Sequence, residues 1–563
     1  MNIRMVMKDL KLIHILLLCV GLSSVVSLSA QEHKRVEVTT IYTPEITPKT
    51  KLDVPASISE SSEIEPDIIY NIHPDTWQIK LADHNFKPAR AGYWDFNRTE
   101  HFYTRLASGY PLVSDAEFRY MSQNLRVGYI GVDVDHDGSF SARENSAGVV
   151  RSIADSYDMR NSLSINGGAV AGCQMFEGSI DYDFDIYNRY ASLDNPSRLY
   201  FHDANVALRY GDNFADLSRL NFNVEAHGGF WSHTPPPQAD VFIAVPQFEA
   251  GASALLMRDF SQNIVGLKAE YDMWQSLSSS YRDIRFGATA QYARDFGLVA
   301  VDASLGYLYD RVRNRDKASH FILPKVRLDF DFGLDAVQPY VDINTTVSHN
   351  DLAQLYKENP FLDYDYSYDR LLAMPNTRSY NISAGVAGVA FASRFAYRAY
   401  VGANIMRDQV LWYINEVGSF GVTAADNNRF VFGAEVEYRP VGGLIIGAKF
   451  AAHAENSTGD VVVDDARMRG GVDVRYTIKR WKFYVSGDLT GRRRWSSIES
   501  GEIIYEAFTA PTTFNLGAGI SFRASGTVEL FVDGYNLLNQ QMYDYAYYYR
   551  NGVGCMAGLK IEF

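Results

Sequence analysis

The stretch that decides the fold is Val528-Glu529-Leu530-Phe531-Val532-Asp533, with Asn536-Leu537-Leu538-Asn539 after it and Gly558-Leu559-Lys560-Ile561-Glu562-Phe563 at the end of the chain. In the closing segment Cys555, Ala557, Leu559, Ile561 and Phe563 fall on one side, and Met556, Gly558, Lys560 and Glu562 on the other. A period of two is the mark of a strand with one apolar and one wet face. The same pattern recurs upstream. Ile180, Tyr182, Phe184 and Ile186 alternate with Asp181, Asp183 and Asp185. Val326, Leu328, Phe330 and Phe332 alternate with Lys325, Arg327, Asp329 and Asp331. Val472, Val474, Tyr476 and Ile478 alternate with Asp473, Arg475, Thr477 and Lys479, and Phe514 to Phe522 alternate with a polar set ending at Arg523. A charge at every second position is costly against lipid or a dry core, so these charges are expected to face a watery lumen. The lumen-facing candidates are Asp181, Asp183, Asp185, Arg327, Asp329, Asp331, Asp473, Arg475 and Arg523.

The spacing of connections agrees. Tight turns at Gly333–Gln338, Arg439–Gly443, Lys479–Arg480 and Ala524–Gly526 are each followed, one strand later, by a long connection: Ser348–Ser379, Ala454–Arg467, Gly491–Thr512 and Asn536–Gly552. This predicts an all-β transmembrane antiparallel barrel with short periplasmic turns and long extracellular loops. At about ten residues per strand the chain supplies about 22 strands, within a range of 16 to 22.

The N-terminus carries Arg4, Lys8 and Lys11, an apolar run from Leu12 to Leu22, and small residues ending at Ser29-Ala30. That is the layout of a secretory signal, expected over 1–30. The whole chain has a net charge of −14, and without its first 30 residues it carries −16. This balance disfavours nucleic acid as a partner. The 37 Tyr and 32 Phe suit interfacial aromatic girdles. Cys173 and Cys555 both fall in strand-like segments, without metal-ligand spacing. Residues 31–98 read differently: Pro44, Pro48, Pro55, Pro66, Pro74 and Pro88 forbid a continuous helix or central strand. An extended periplasmic or lumen-entering segment is expected there, with the barrel over 99–563.

The run Asn536-Leu537-Leu538-Asn539-Gln540-Gln541-Met542-Tyr543, with Phe563 last, resembles the end of the barrel of TonB-dependent outer-membrane receptors. Val36-Glu37-Val38-Thr39-Thr40-Ile41-Tyr42 resembles a TonB box, which makes Val36, Val38, Thr39, Thr40 and Ile41 the candidate TonB contact. Lys51–Ile58 resembles the opening of a plug domain. Family plugs are far longer than 31–98, so the resemblance implies a vestigial plug, in the style of plugless receptor-like barrels of Bacteroidota. It also implies that Leu559, Ile561 and Phe563 form the signal read by the barrel-insertion machinery. The location implied is the bacterial outer membrane, with both termini periplasmic and with lipid and lipopolysaccharide as surroundings.

Asp133-Val134-Asp135-His136-Asp137-Gly138-Ser139-Phe140-Ser141-Ala142-Arg143-Glu144 satisfies the twelve-residue calcium-loop template, with Asp133, Asp135, Asp137 and Glu144 as ligands. The same aspartates also read as successive lumen-facing residues of a strand. No cofactor is required by the fold, and calcium is the one the first reading would add. Two Tyr- and Asp-rich loops, Asp363–Asp369 and Tyr543–Tyr549, suit stacking on sugars or packing on one another, and Arg492-Arg493-Arg494 suits lipopolysaccharide phosphate or a solvated strand end. No HExxH, GxSxG or Gly-rich phosphate loop is present, and His349 and His453 lack a nucleophile context, so no enzyme is expected. The expected function is a channel or transport barrel for small hydrophilic or cationic solutes. The alternatives are a scaffold closed by a plugging or surface lipoprotein partner, and a TonB-coupled receptor.

Overall fold

The computed structural model describes residues 101–122, 128–145, 148–193, 197–234, 246–276, 282–312, 318–363, 374–457, 463–499 and 502–563. The signal-like run, the Pro-rich segment and the TonB-box-like residues Val36 to Tyr42 lie outside the described residues.

Twenty-two antiparallel strands close into one barrel. In chain order the wall is β1 (Phe102–Tyr110), β2 (Val113–Met121), β3 (Gly128–Ser139), β4 (Asp158–Ala171), β5 (Gln174–Asn188), β6 (Arg198–Asp212), β7 (Asn221–Thr234) and β8 (Gln247–Phe260). It continues with β9 (Asn263–Ser276), β10 (Arg282–Asp295), β11 (Val299–Val312), β12 (Ser319–Phe330), β13 (Gln338–Ser348), β14 (Thr377–Ala390) and β15 (Phe395–Glu416). The last seven are β16 (Ser419–Tyr438), β17 (Leu444–Ser457), β18 (Met468–Ile478), β19 (Trp481–Thr490), β20 (Thr513–Arg523), β21 (Val528–Tyr535) and β22 (Gly554–Glu562).

The C-terminal strand closes the ring. It pairs with β21 on one side, with Leu530 opposite Leu559, and with β1 on the other, with Leu106 opposite Leu559 and Thr104 opposite Ile561. The Phe563 carbonyl accepts the N–H groups of His101 and Phe102, and its ring stacks on Phe102 at 4.7 Å. Closure leaves no strand edge, which is what allows a sheet to stand in lipid.

The alternation sets the two faces. Ile180 is 56 % exposed, Ile322 65 % and Leu530 50 %, all on the outer wall, while their sequence neighbours point inward. A large apolar residue this exposed at every second position is the membrane face of the barrel.

Turn-end connections are short where expected, at 331–337, 439–443, 479–480 and 524–527, and the loop-end connections that follow them are long. Two loop-end connections are as short as the tightest turn, at two residues each. β1 and β2 are joined by Pro111-Leu112 alone, and β15 and β16 by residues 417 and 418. The second pair makes up for this with length: β15 runs 22 residues and β16 runs 20, against nine each for β1 and β2. A bulge between Met406 and Gln409, with Asp408 in the left-handed region at φ 55°, bends this long hairpin where it leaves the wall.

Candidate functional site at the barrel mouth

The loops at the long-connection end fold into a shared core. The sequence Asp351-Leu352-Ala353-Gln354-Leu355-Tyr356-Lys357-Glu358 forms a short helix, α1 (Leu352–Glu358). Asp351 caps it by accepting the Gln354 N–H at 2.7 Å, and Leu352, Leu355 and Tyr356 fall on one buried face by i, i+3, i+4 spacing. That face meets inward-pointing residues of the wall. Tyr356 stacks on Trp231 at 5.5 Å and His233 at 4.8 Å, both on β7, and lies 5.8 Å from Phe201 on β6. The helix therefore sits within the ring of strands rather than above it.

Other connections complete the core. Phe361 lies flat against Tyr548 at 3.6 Å, and the Tyr548 hydroxyl donates to the Gly418 carbonyl at 2.6 Å. Tyr545 donates to Glu358 O at 2.9 Å, and Tyr190 to Tyr549 O at 2.9 Å. The tip of the β15–β16 hairpin bonds the helix loop through Phe420 N–H to Phe361 O and Asp363 N–H to Phe420 O. Arg493 donates to the Asp544 carbonyl at 2.8 Å and to the Asp464 carbonyl at 2.9 Å. Its neighbour Trp495 is fully buried. Loops that would be solvated separately thus share one apolar cluster, each buried aromatic adding about 1.5–3 kcal/mol of burial. The Tyr-rich loop at 543–549 is part of this packing. Most of the other, 364–369, lies outside the described residues.

Polar groups fix the helix to the wall. Lys357 pairs with Asp203 of β6, and Gln247 of β8 donates to Asp351. Burial alone would lower the Lys357 ammonium, but the hydrogen bond and charge of Asp203 hold it above its ordinary value. A cavity of about 20 Å³, enough for one water, lies between Asp203, Trp231, Glu249 and Lys357. At the root of the same loop His349 stacks on Trp274 at 3.8 Å. Its Nδ1 is 3.2 Å from Asp283 and its Nε2 is 3.4 Å from Asp351. Burial, aided by Arg285, pushes His349 down to about 4 against the opposing pull of Asp351 and Asp310.

Below the mouth the inner wall is acidic along β3 to β6. Asp133, Asp135 and Asp137 on β3 face inward, as do Asp181, Asp183 and Asp185 on β5, with Arg160, Ser162 and Ser164 of β4 in register between them. Ser164 donates to Asp181 at 2.5 Å, Ser179 to its other oxygen at 3.2 Å, and Asn166 to Asp133 at 3.4 Å. Arg119, 3.7 Å from Asp133, and Arg160, between Asp137 and Asp185, offset part of this charge, and across the barrel charges pair within single strands. Arg327 bonds Asp329 at 2.9 Å and Arg475 pairs with Asp473 at 3.1 Å, each partner two residues away on the same strand. Asp331 lies past the end of β12 in a turn, where it accepts the Gly333 N–H at 2.8 Å, and Arg523 ends β20 at the turn end.

The calcium-loop reading of Asp133 to Glu144 is corrected. The first seven residues of the template continue strand β3, so the three aspartates spread along an extended chain instead of converging, and Glu144 stands in the next connection. No cluster of three or more metal-ligating side chains occurs among the described residues. The sequence marked one part of the mouth core, the Tyr-rich loop at 543–549, and gave no signal for the rest. The core residues come from five connections and from wall positions such as Phe201 and Trp231, which meet only in the folded chain.

No protein-family model matches the chain, and no curated protein matches it in sequence. Solved structures do. The FrpB iron transporter from Neisseria meningitidis (F3-3 variant) aligns with a TM-score of 0.65 at 11 % identity, covering 82 % of this chain and 81 % of that one. The copper transporter OprC aligns at 0.63 and 12 % identity, covering 82 % and 80 %. The ferripyoverdine receptor of the Pseudomonas aeruginosa outer membrane aligns at 0.61 and 10 %, covering 82 % and 72 %. The chain shares the 22-strand barrel fold of outer-membrane transport receptors.

Proposed function

We propose that this protein is an outer-membrane transport barrel for small hydrophilic, preferentially cationic, solutes, and that its own loops gate its outer mouth. The observation that supports this most is the pairing of an acidic inner wall on β3 to β6 with a mouth filled by α1 and the 543–549 hairpin. Barrels of this strand number need something in the lumen to avoid leaking. Here the loops supply part of it, which weighs against a scaffold that depends on a partner lipoprotein for closure. In this reading residues 1–30 are a cleaved signal, both termini are periplasmic, and the long connections face outward. Transporters of copper and iron among the structural neighbours support transport as the role.

A TonB-coupled mode is the second reading, favoured by the receptor-type barrel and by Val36, Val38, Thr39, Thr40 and Ile41. Single-channel recording in planar bilayers tests the first reading, using the full chain and a form lacking residues 31–98. Small steady or gated cation-selective steps are expected. Silence in both forms, persisting after the mouth core is loosened, would reject transport by diffusion. Solute uptake unchanged by deletion of residues 31–60 would reject TonB coupling.

A further inference from the structure

We propose that Ser114, His136 and Asn161 form an acyl-ester hydrolase centre on the membrane-facing wall, a site separate from the lumen. The three residues stand on adjacent strands: Ser114 on β2, His136 on β3 and Asn161 on β4, with Asn161 directly opposite His136. All three share the outer face with Ile130, Val134, Leu163 and Ile165, which are exposed to the membrane. Ser114 Oγ is 2.8 Å from His136 Nε2, and His136 Nδ1 is 2.8 Å from Asn161 Oδ1. Asn161 Nδ2 donates to the Phe184 carbonyl at 3.0 Å, which turns Oδ1 toward the ring. Nδ1 must therefore carry the imidazole proton, and the Nε2 lone pair faces the serine hydroxyl. This is the order nucleophile, base, orienting group that activates a serine.

Gly138, the register partner of Ser114, leaves room for the hydroxyl. A Cβ there would come within 2.8 Å of Ser114 Oγ and 2.5 Å of the Phe140 ring. The bland alternative is a polar trio that merely satisfies itself in an apolar surrounding. The same hydrogen bonds serve both roles, and the reactivity of the Ser114 hydroxyl separates them.

Position selects the substrate. The trio lies beside the Pro111-Leu112 turn, flanked by Tyr110 and Leu112, both exposed and apolar. A lipid presents its ester carbonyls at such a rim, where hydrocarbon gives way to headgroups. In the first step Ser114 Oγ bonds to the ester carbonyl carbon while its proton passes to His136 Nε2. The ester C–O bond then breaks and the leaving alcohol oxygen takes that proton, leaving an acyl-serine. Water attacks the acyl carbon, giving a proton to Nε2, and the serine leaves with it. The sum is ester plus water to carboxylic acid plus alcohol.

The test uses the full-length protein folded in detergent micelles. A long-chain alkylsulfonyl fluoride should label Ser114, as mapped by peptide mass spectrometry, and labelling should fall sharply in H136A. Hydrolysis of a long-chain p-nitrophenyl ester should drop at least about 100-fold in S114A and H136A. It should drop less in N161A and recover in N161D. Folding of each variant is checked by heat-modifiable migration, and labelling of the unsubstituted chain decides the matter even if a variant misfolds. Release of fatty acid from glycerophospholipid or from lipopolysaccharide identifies the natural ester. Release from neither overturns the assignment to membrane lipid. An unlabelled Ser114, with ester turnover equal in the unsubstituted chain and S114A, overturns the site.

Discussion

Tyr548 lies on Phe361 with ring centroids 3.6 Å apart and planes 9° from parallel, joining the last loop of the chain to one that begins nearly two hundred residues earlier. Both rings are almost wholly buried, and the Tyr548 hydroxyl is held by the Gly418 carbonyl. The phenol is pushed well above its ordinary range by burial and stays neutral at any physiological pH. This contact is the keystone of the mouth core.

Removing it should open the mouth without unfolding the wall. F361A or Y548A is expected to cost about 3–5 kcal/mol locally. Faster amide exchange over residues 352–362 should report it, along with more frequent conducting events in bilayers. The exchange pattern of β1 to β22 should be unchanged.

Acid should loosen the same loop through His349. Its pKa falls from 6.5 to about 4 on folding, so between those values the loosened state binds more protons and the attachment weakens as pH drops. The full effect is about 3 kcal/mol, present above pH 6.5 and lost by about pH 4. Asp283, Asp351 and Asp310 face the same ring, with Arg285 close by. H349Q isolates the histidine: exchange over 350–363 measured from pH 7 to pH 5 should lose most of its slope in that variant.

The acidic wall should set ion preference. With the mouth opened by Y548A, replacing Asp181, Asp183 and Asp185 by Asn should move the reversal potential in a salt gradient toward the non-selective value. Neutralising both members of the pairs Arg327–Asp329 and Arg475–Asp473 together should have a smaller effect, because each pair carries no net charge to begin with. An equal response from both sets would show that the wall is not asymmetric in its field.

Phe563 should matter more for assembly than for the finished barrel. F563A removes a ring stack worth about 0.5–1.5 kcal/mol. The expected outcome is a several-fold lower yield of heat-modifiable barrel in insertion assays. A parallel loss should follow from charged substitutions at Leu559 or Ile561, with little change in the melting temperature of barrels that do form for F563A.

The wall was readable from sequence because its pattern is local. Alternation around Asp181–Asp185 and Asp473–Arg475 is visible within eight residues, and the order of tight and long connections follows from it. Asp331 shows the limit: parity continues past the end of a strand, but the chain turns after Phe330. Ser114, His136 and Asn161 were invisible for the opposite reason. They are 22 and 25 residues apart along the chain and meet only through strand register. His349 and His453, which lack a nucleophile context in sequence, have carboxylate neighbours in the fold: one is bracketed by Asp283 and Asp351 and the other lies 3.6 Å from Glu455.

The nine-residue strands β1 and β2 stand beside a wall that elsewhere reaches 22 residues. Nine residues tilted as in barrels of this kind span about 25 Å, the height of the apolar band itself, and the fall in rim height is one-sided. The short flank therefore ends at the hydrocarbon boundary, while β15 and β16 project well past it. Headgroups beside Pro111 meet a bare two-residue turn, whereas those across the barrel meet a raised wall. The barrel thus has a low side and a high side toward whatever approaches that face of the membrane.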